Sequence, residues 1–220
     1  MLADGVFLPN NEVASPLLVG KRGPLVFSVY LGADAPKRLV GQYARLAYST
    51  LAGHPAMLRH FDYVSIASGD NLIVFVNRDD DLMAAAYVHP ETRGDRRVLV
   101  HKGYVSSGQE RGLARVMIAA LHVADTHRLG ASADGEAVAR VLFGGAINEA
   151  SSSPFADAGF HGVRNYLAPI GMADIHLEPF AVKRPTGLYI GCHLMAGKAS
   201  KIAARAEDIL ADWKLDWCAP

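Results

Sequence analysis

Nine consecutive residues, Ser106-Ser107-Gly108-Gln109-Glu110-Arg111-Gly112-Leu113-Ala114, combine backbone freedom, a helix start and positive charge. Gly108 and Gly112 free the backbone, and the small Ala114 lets a ligand approach closely. Apolar residues recur with helical period after Gly112, so the segment runs into the first turn of a helix. N–H groups there have no intrahelical acceptor, and the helix dipole favours negative charge at the same point. A strand, a glycine-bearing turn and a helix N-terminus together make a site for phosphate or pyrophosphate. Arg111 adds a cation able to pair with phosphate directly. The bland alternative is a helix start that needs glycine for packing alone.

Proton transfer calls for a group that titrates near neutrality, which directs attention to the 9 histidines. His101 is the best-placed candidate base, because it lies on the strand that leads into the glycine turn. His89 and Glu91, in the turn before that strand, are alternatives. Each has a competing reading as a packed or solvated residue. His122 and His127 fall away from the apolar stripe of the following helix and are expected in solvent. Trp213 and Trp217 read as core or interface anchors rather than a ligand cage.

These residues need elements to hold them. Pro24–Leu31 is β-branched and aromatic and reads as a strand. Asp34 is expected to cap a helix with Pro36 in its first turn, and Leu39, Tyr43, Leu46, Ala47 and Thr50 carry that helix to about Leu51. Tyr63–Ser68, Leu72–Asn77 and Leu82–His89 read as strands, with short polar separators of the kind hairpins use. A fourth strand, Arg97–Ser106, precedes the turn. Leu113, Val116, Met117, Ala120, Leu121 and Ala124 lie on one face of a helix to about Arg128. Val138–Ile147 is almost continuously apolar, as a strand in a buried parallel pair would be. A short helix, Glu149–Ala158, closes on Gly159. Val163–Ile170 and Leu188–Met195 are further strands, and a last helix from about Lys198 sets Ile202, Ala206, Ile209, Leu210 and Trp213 on one stripe. The strand–helix–strand crossover makes Arg97–Ser106 and Val138–Ile147 parallel neighbours. The fold class is therefore α/β (α+β), a mixed, mostly antiparallel sheet with one parallel pair and flanking helices.

Two motifs carry a family resemblance. Gln109-Glu110-Arg111-Gly112-Leu113-Ala114 resembles the Gln/Arg-x-x-Gly-x-Gly/Ala signature with which GNAT-superfamily N-acetyltransferases hold the pyrophosphate of acetyl-CoA. Asn148-x-x-Ser151-x-x-x-Phe155-x-x-x-Gly159-Phe160 resembles the family's Asn-x-x-Ala-x-x-x-Tyr-x-x-x-Gly-Phe segment. It also falls where the family has it, after the strand that follows the pyrophosphate helix. Together the motifs cover about Leu82 to Phe160. The first third fits in element order only, and Gly171–Gly187 is longer than the family usually needs.

The resemblance implies a single GNAT-like acyl-CoA N-acyltransferase domain over residues 1–220, with a core at about 24–170 and a C-terminal extension at 171–220. It implies that the parallel pair is central and splayed, with the pantetheine arm in the gap. Gln109, Glu110, Arg111, Gly112, Leu113 and Ala114 would then hold the pyrophosphate. Backbone groups of Tyr104, Val105 and Ser106 would bond the pantetheine and polarise the thioester carbonyl. Asn148, Ser151 and Phe155 would complete the cofactor site. A neutral amine attacks the thioester with no acyl-enzyme, and His101, Ser151 and Glu91 are the candidates for acid–base work. One departure matters: Phe155 stands where the family often has the Tyr that protonates the leaving thiolate, and a phenyl ring has no proton to give. Ser151, Ser152, Ser153 or water then serves instead, or the chain binds CoA without fast transfer.

Composition limits the alternatives. The chain has 220 residues, 50% of them hydrophobic, with 22 basic and 22 acidic residues. It is long enough to bury a real core. Zero net charge supplies no field for nucleic acid and little repulsion between copies, so no nucleic-acid partner is expected and a homodimer is compatible. No run approaches the roughly 18 apolar residues of a membrane span, and Met1–Asn10 does not read as a secretory signal. The 2 cysteines are too few for a disulfide framework and lack metal-ligand spacing; a cytoplasmic location and no metal are expected. Gly191–Lys198 is one residue too long for a P-loop, and Ala199 stands where Ser or Thr must be. The expected function is acetyl transfer from acetyl-CoA to a primary amine. The alternatives are a catalytically weak or inactive CoA-binding or assembly module, and transfer of a longer acyl group.

Overall fold

The computed structural model describes residues 15–51, 58, 61–93, 96–129, 138–143, 149–162, 182–183, 189–190 and 193–218. A first hairpin pairs β1 (Leu18–Arg22) with β2 (Leu25–Leu31) around Gly23, whose φ of 57° suits a tight turn. β1 lies before the strand expected at Pro24–Leu31. A 3-10 turn at Gly32–Asp34 follows, so Asp34 sits inside that turn rather than capping the helix. Helix α1 (Lys37–Leu51) starts after Pro36, whose carbonyl accepts the Val40 N–H at 3.1 Å.

The strand expected at Tyr63–Ser68 is instead a short helix, α2 (Tyr63–Ile66). The Asp62 carboxylate accepts the Ser65 N–H at 2.9 Å and its hydroxyl at 2.6 Å, an N-cap that outweighs the β-propensity of Tyr and Val. Buried Asn71 seals the other end by donating to the carbonyls of Ser65 and Ile66 at 2.7 and 3.0 Å.

Strands β3 (Leu72–Arg78), β4 (Asp81–Arg93) and β5 (Arg96–Ser106) form a meander. Asp79 and Asp80, at φ 48° and 71°, make its first turn. Then come α3 (Leu113–Leu129), β6 (Val138–Phe143), α4 (Glu149–Asp157) and β7 (His161–Gly162). A two-residue ladder joins β8 (Val182–Lys183) to β9 (Tyr189–Ile190). The chain continues through β10 (His193–Lys198), α5 (Ala199–Ile209) and β11 (Lys214–Trp217). Trp213 is therefore not on the last helix, which ends earlier; it packs on Phe27 at 5.0 Å between ring centroids.

Among the described residues, nine strands form one sheet in the order β11-β1-β2-β3-β4-β5-β6-β10-β7. β5 and β6 run parallel and every other pairing in it is antiparallel. The segment expected as a C-terminal extension contributes β10 and β11 to this sheet. Alternation along the strands sends side chains to two cores. Val74, Ala84, Ala86 and Leu99 pack under α3 and α5, with Met117, Leu121 and Ile202. Ile73, Phe75, Ala85 and Tyr87 pack under α1 and α2, with Val40, Tyr43 and Ile66.

Candidate functional site

The parallel ladder between β5 and β6 runs from Val98↔Val138 to His101↔Val141 and ends there. β5 continues to Ser106 on its β4 side, where Ala84 pairs Ser106 and Ala85 pairs Val105. β6 continues to Phe143 on its β10 side, where His193 pairs Phe143. Beyond His101 the two strands follow different neighbours. Among the described residues, the β6-facing edge of Lys102–Ser106 has no strand partner. This is the splayed geometry that the resemblance implied.

A β-bulge shapes the same point. Between Ala85↔Val105 and Tyr87↔Lys102, β5 carries one residue more than β4. Gly103 takes up the bulge at φ 66°, and a Cβ there would lie 2.8 Å from the Tyr87 ring as well as striking the Tyr43 hydroxyl. Tyr43, fully buried on α1, donates its hydroxyl to the Gly103 carbonyl. The extra residue also inverts the alternation. Val105 turns to the α1 core, whereas strict alternation from Leu99 would send it under α3. Tyr104 turns under α3 instead, on the same side as His101.

A polar chain results. The Tyr104 hydroxyl lies 2.6 Å from Nδ1 of His101, and Nε2 of His101 lies 2.9 Å from Nε2 of His122 on α3. The rings of His101 and His122 stack at 5.0 Å. Phe160 and Phe155 present edges to His101 at 5.3 and 6.0 Å, and Phe155 meets the Tyr104 ring at 5.0 Å. His101 and His122 are 2% and 1% exposed, and Tyr104 is partly buried with its hydroxyl turned inward to His101. Burial, and then the neighbouring His122, hold His101 well below the ordinary imidazole range. Burial drives His122 down to about 4, with Asp125 opposing and Arg97 assisting. Both imidazoles are neutral at neutral pH, and burial raises the Tyr104 hydroxyl well above its usual value. Arg97 grips buried Asp125, one turn beyond His122, through two bonds of 2.7 and 2.6 Å.

His122 was expected in solvent and is instead among the most buried polar residues. The missed signal is that Ile118 and Ala119 make α3 apolar on nearly every side, the mark of a helix covered all round. The covering element is α5, whose Ile202, Ala206 and Leu210 join the same core. His127 is exposed, as expected, and stacks on Trp217 at 3.8 Å.

The glycine turn links β5 to α3. Gly108 and Gly112 have φ of 78° and 79°, and a Cβ on either would meet no atom within 4 Å. Ser107 N–H bonds the Met83 carbonyl at 2.8 Å, and Gly108 N–H bonds the Ser106 hydroxyl at 3.1 Å. The first helical bond is Val116 N–H to Gly112 carbonyl at 3.3 Å, so the amides just before Val116 lie ahead of the helical ladder. Glu110 pairs with Arg78 at the end of β3. Gln109 and Arg111 are exposed, and buried Leu113 and half-buried Ala114 anchor the helix start in the core. An open cleft of about 330 Å³ flanks the turn, lined by Gln42, Arg45, Asp81, Leu82, Met83, Ser107 and Gln109.

The other expected site residues are dispersed. Glu91 pairs Val98, three residues farther from the glycine turn than Val88, the partner of His101. His89 holds Asn71 at 2.9 Å through Nδ1. Ser151 is on α4, one turn before Phe155. Asn148 and the strand expected at Val163–Ile170 lie outside the described residues.

No protein-family model and no curated protein matches the sequence. Solved structures do match the fold. RimJ of Mycobacterium smegmatis, in complex with CoA-disulfide, superposes with a TM-score of 0.52 at 15% identity, covering 93% of this chain and 99% of that one. An acyl-CoA N-acyltransferase from Pseudomonas aeruginosa gives 0.51 at 14% identity, over 78% of this chain and 98% of that one. YncA of Salmonella typhimurium, solved with its cofactor acetyl-CoA, gives 0.50 at 14%, over 79% and 94%. The chain has the GNAT-type acyl-CoA N-acyltransferase fold. Among the described residues no helix is long and apolar enough to cross a membrane.

Proposed function

We propose that this chain transfers an acetyl group from acetyl-CoA to a primary amine by direct attack. One observation carries the reading: the only parallel pair among the described residues opens at His101↔Val141, and one arm of the opening leads straight into the Gly108–Gly112 turn. The turn suits a pyrophosphate, since both glycines face open space and the α3 amides begin behind them. The open edge of Tyr104–Ser106 offers backbone groups to an extended pantetheine arm, as an added strand would use them. Bound acetyl-CoA supplies the activated thioester. The chain's own contributions are to hold it extended, to aim N–H groups at the developing oxyanion, and to handle protons. His101 has both ring nitrogens engaged, so it acts on the reaction only through Tyr104 or His122. Ser151, close to Phe155 on α4, is the remaining acid–base candidate near the site, and Glu91 is the most distant.

Calorimetry with acetyl-CoA and CoA tests binding, and thiol release across an amine panel tests transfer. Gly112→Trp fills the open space before α3 and is expected to abolish CoA binding while circular dichroism stays unchanged. Undiminished affinity in that variant counts against the turn as the pyrophosphate site. Phe155, which has no proton to give, favours a second reading as a CoA-binding module. CoA binding without thiol release from any amine would select that reading.

A further inference from the structure

The sheet ends at β11, and among the described residues no strand pairs its far side. All four residues of β11 are exposed. Leu215 at 36% and Trp217 at 37% are two of the five exposed large apolar side chains among the described residues. Backbone parity decides which groups this edge offers. Cys218 N–H bonds the Leu17 carbonyl at 3.3 Å, one step beyond the Leu18↔Trp217 pair. In an antiparallel ladder such hydrogen-bonded pairs alternate with pairs whose N–H and C=O groups point away from each other. Asp216 and Lys214 therefore turn their backbones to β1, while those of Leu215 and Trp217 face outward. Side chains alternate as well. Leu215 and Trp217 lie on the α3 face, where Trp217 stacks on His127, and Lys214 and Asp216 lie on the other. Lys214 stands opposite Lys21 across the β1–β11 ladder, a like-charge pairing that destabilises a sheet. An unpaired edge of this kind is a template for another strand.

We propose that β11 pairs with β11 of a second copy of this chain, antiparallel about a two-fold axis, joining two sheets into one. Outward backbone groups must oppose outward groups, so the axis falls on residue 214, 215, 216 or 217. An axis on Lys214 sets two lysines face to face, and one on Asp216 does the same with two aspartates. An axis on Trp217 places Asp216 opposite Cys218 and Lys214 opposite Pro220, with neither charge matched. The axis on Leu215 matches both. Lys214 then opposes Asp216 of the partner subunit, and the pair recurs on the other side of the axis. The two Leu215 residues meet on the axis and exchange two backbone hydrogen bonds. The partner carboxylate beside Lys214 also offsets its repulsion with Lys21. The contact is self-complementary, as a closed dimer requires. Equal numbers of basic and acidic residues leave no net field to oppose the approach of two copies. Strands β1 to β4 stand between this edge and the splay, so the glycine turn stays open in both copies.

Sedimentation velocity on the full chain tests the pairing. Two short strands make a small contact, so a dissociation constant of about 10 μM is expected, giving monomer at about 1 μM and mostly dimer at about 200 μM. Lys214→Asp and Asp216→Lys each set like charges opposite one another and should weaken dimerisation at least about 30-fold. Mixed in equal amounts, the two variants should form a heterodimer of wild-type affinity, since each supplies the charge that the other lacks. The chain with both substitutions should self-associate like wild type. Circular dichroism should be unchanged in all of them, because both side chains are exposed. A wild type that stays monomeric at about 200 μM overturns the inference. Protection of the Leu215 amide from hydrogen exchange in that monomer would identify a segment of the same chain as the occupant of the edge. Undiminished dimerisation of both single variants overturns it as well, and so does a mixture that associates no better than either variant alone.

Discussion

The two faces of the sheet meet at Gly103, and they treat the same bulge differently. On the α1 face, one tyrosine hydroxyl, that of Tyr43, grips the bulge carbonyl from a core made of Phe61, Phe75 and Tyr87. Its ring meets Phe61 and Phe75 edge-on at 5.7 and 6.2 Å, so the hydroxyl is aimed by packing. On the α3 face, the tyrosine Tyr104 is held by an imidazole, and that imidazole by another. The first arrangement fixes backbone shape, and the second holds exchangeable protons. One inserted residue serves both ends: it creates the carbonyl that Tyr43 holds and turns Tyr104 toward His101. A bulge is thus a way of placing chemistry on the face that strict alternation would deny it.

The comparison breaks most directly if the bulge is removed. Gly103→Val forces a β-branched residue to φ 66° and drives its Cβ into the Tyr43 hydroxyl and Tyr87 ring. Backbone strain and overpacking together should cost about 4 kcal/mol in urea denaturation. Gly108→Ala is the control. It shares a positive φ of 78° but faces open space, so about 1 kcal/mol is expected. Equal losses at the two positions would mean that α1 does not hold the bulge.

How much of this could be read from residues alone follows from which signals are local. The hairpins Leu72–His89 and the crossover through α3 were legible, because period and turn residues are written into short windows. Tyr63–Ile66 was not, since a single cap at Asp62 decided it against the propensity of the run. β1 and β11 went unread as well; they are short, and Gly20 and Asp216 interrupt any alternation. The glycine turn was found because its chemistry is carried by backbone freedom. The Tyr104–His101–His122 chain was not found. It depends on a change of parity and on α5 covering α3, both of which are tertiary. A glycine within a strand pattern at Gly103 was the only local hint.

The α3 face should respond to acid more strongly than the α1 face, where His89 alone is displaced below the ordinary imidazole range, by burial first, and is far less buried than His101 and His122. His122 titrates near 4 when folded against an ordinary 6.5, and His101 is displaced in the same direction. The unfolded chain therefore binds protons first as pH falls, and stability present above pH 6.5 is lost progressively toward pH 4. His122 alone accounts for about 3 kcal/mol over that window. Denaturation midpoints measured between pH 7 and 4 should fall steeply for the wild type and less steeply for His122→Gln. Parallel curves would show that the imidazole pair is not buried neutral. The tyrosines of the α1 core have their shifts above neutrality, Tyr87 to about 12, and cannot contribute there.

The smallest expected effect is the sharpest discriminator between the two tyrosines. Tyr43→Phe removes the hydroxyl that holds the Gly103 carbonyl and should cost about 1 kcal/mol, the loss of one partly buried hydrogen bond. Tyr104→Phe keeps its ring packing against Phe155 but leaves Nδ1 of buried His101 without a partner, and should cost about 2 kcal/mol. One hydroxyl holds the carbonyl of Gly103 and the other belongs to its neighbour Tyr104 in the same bulge, so they should also couple. A double variant should depart from additivity by at least about 0.5 kcal/mol. Strict additivity would separate the faces and reduce the bulge to two unrelated contacts, whereas coupling makes the backbone at Gly103 the part through which the α1 core positions Tyr104.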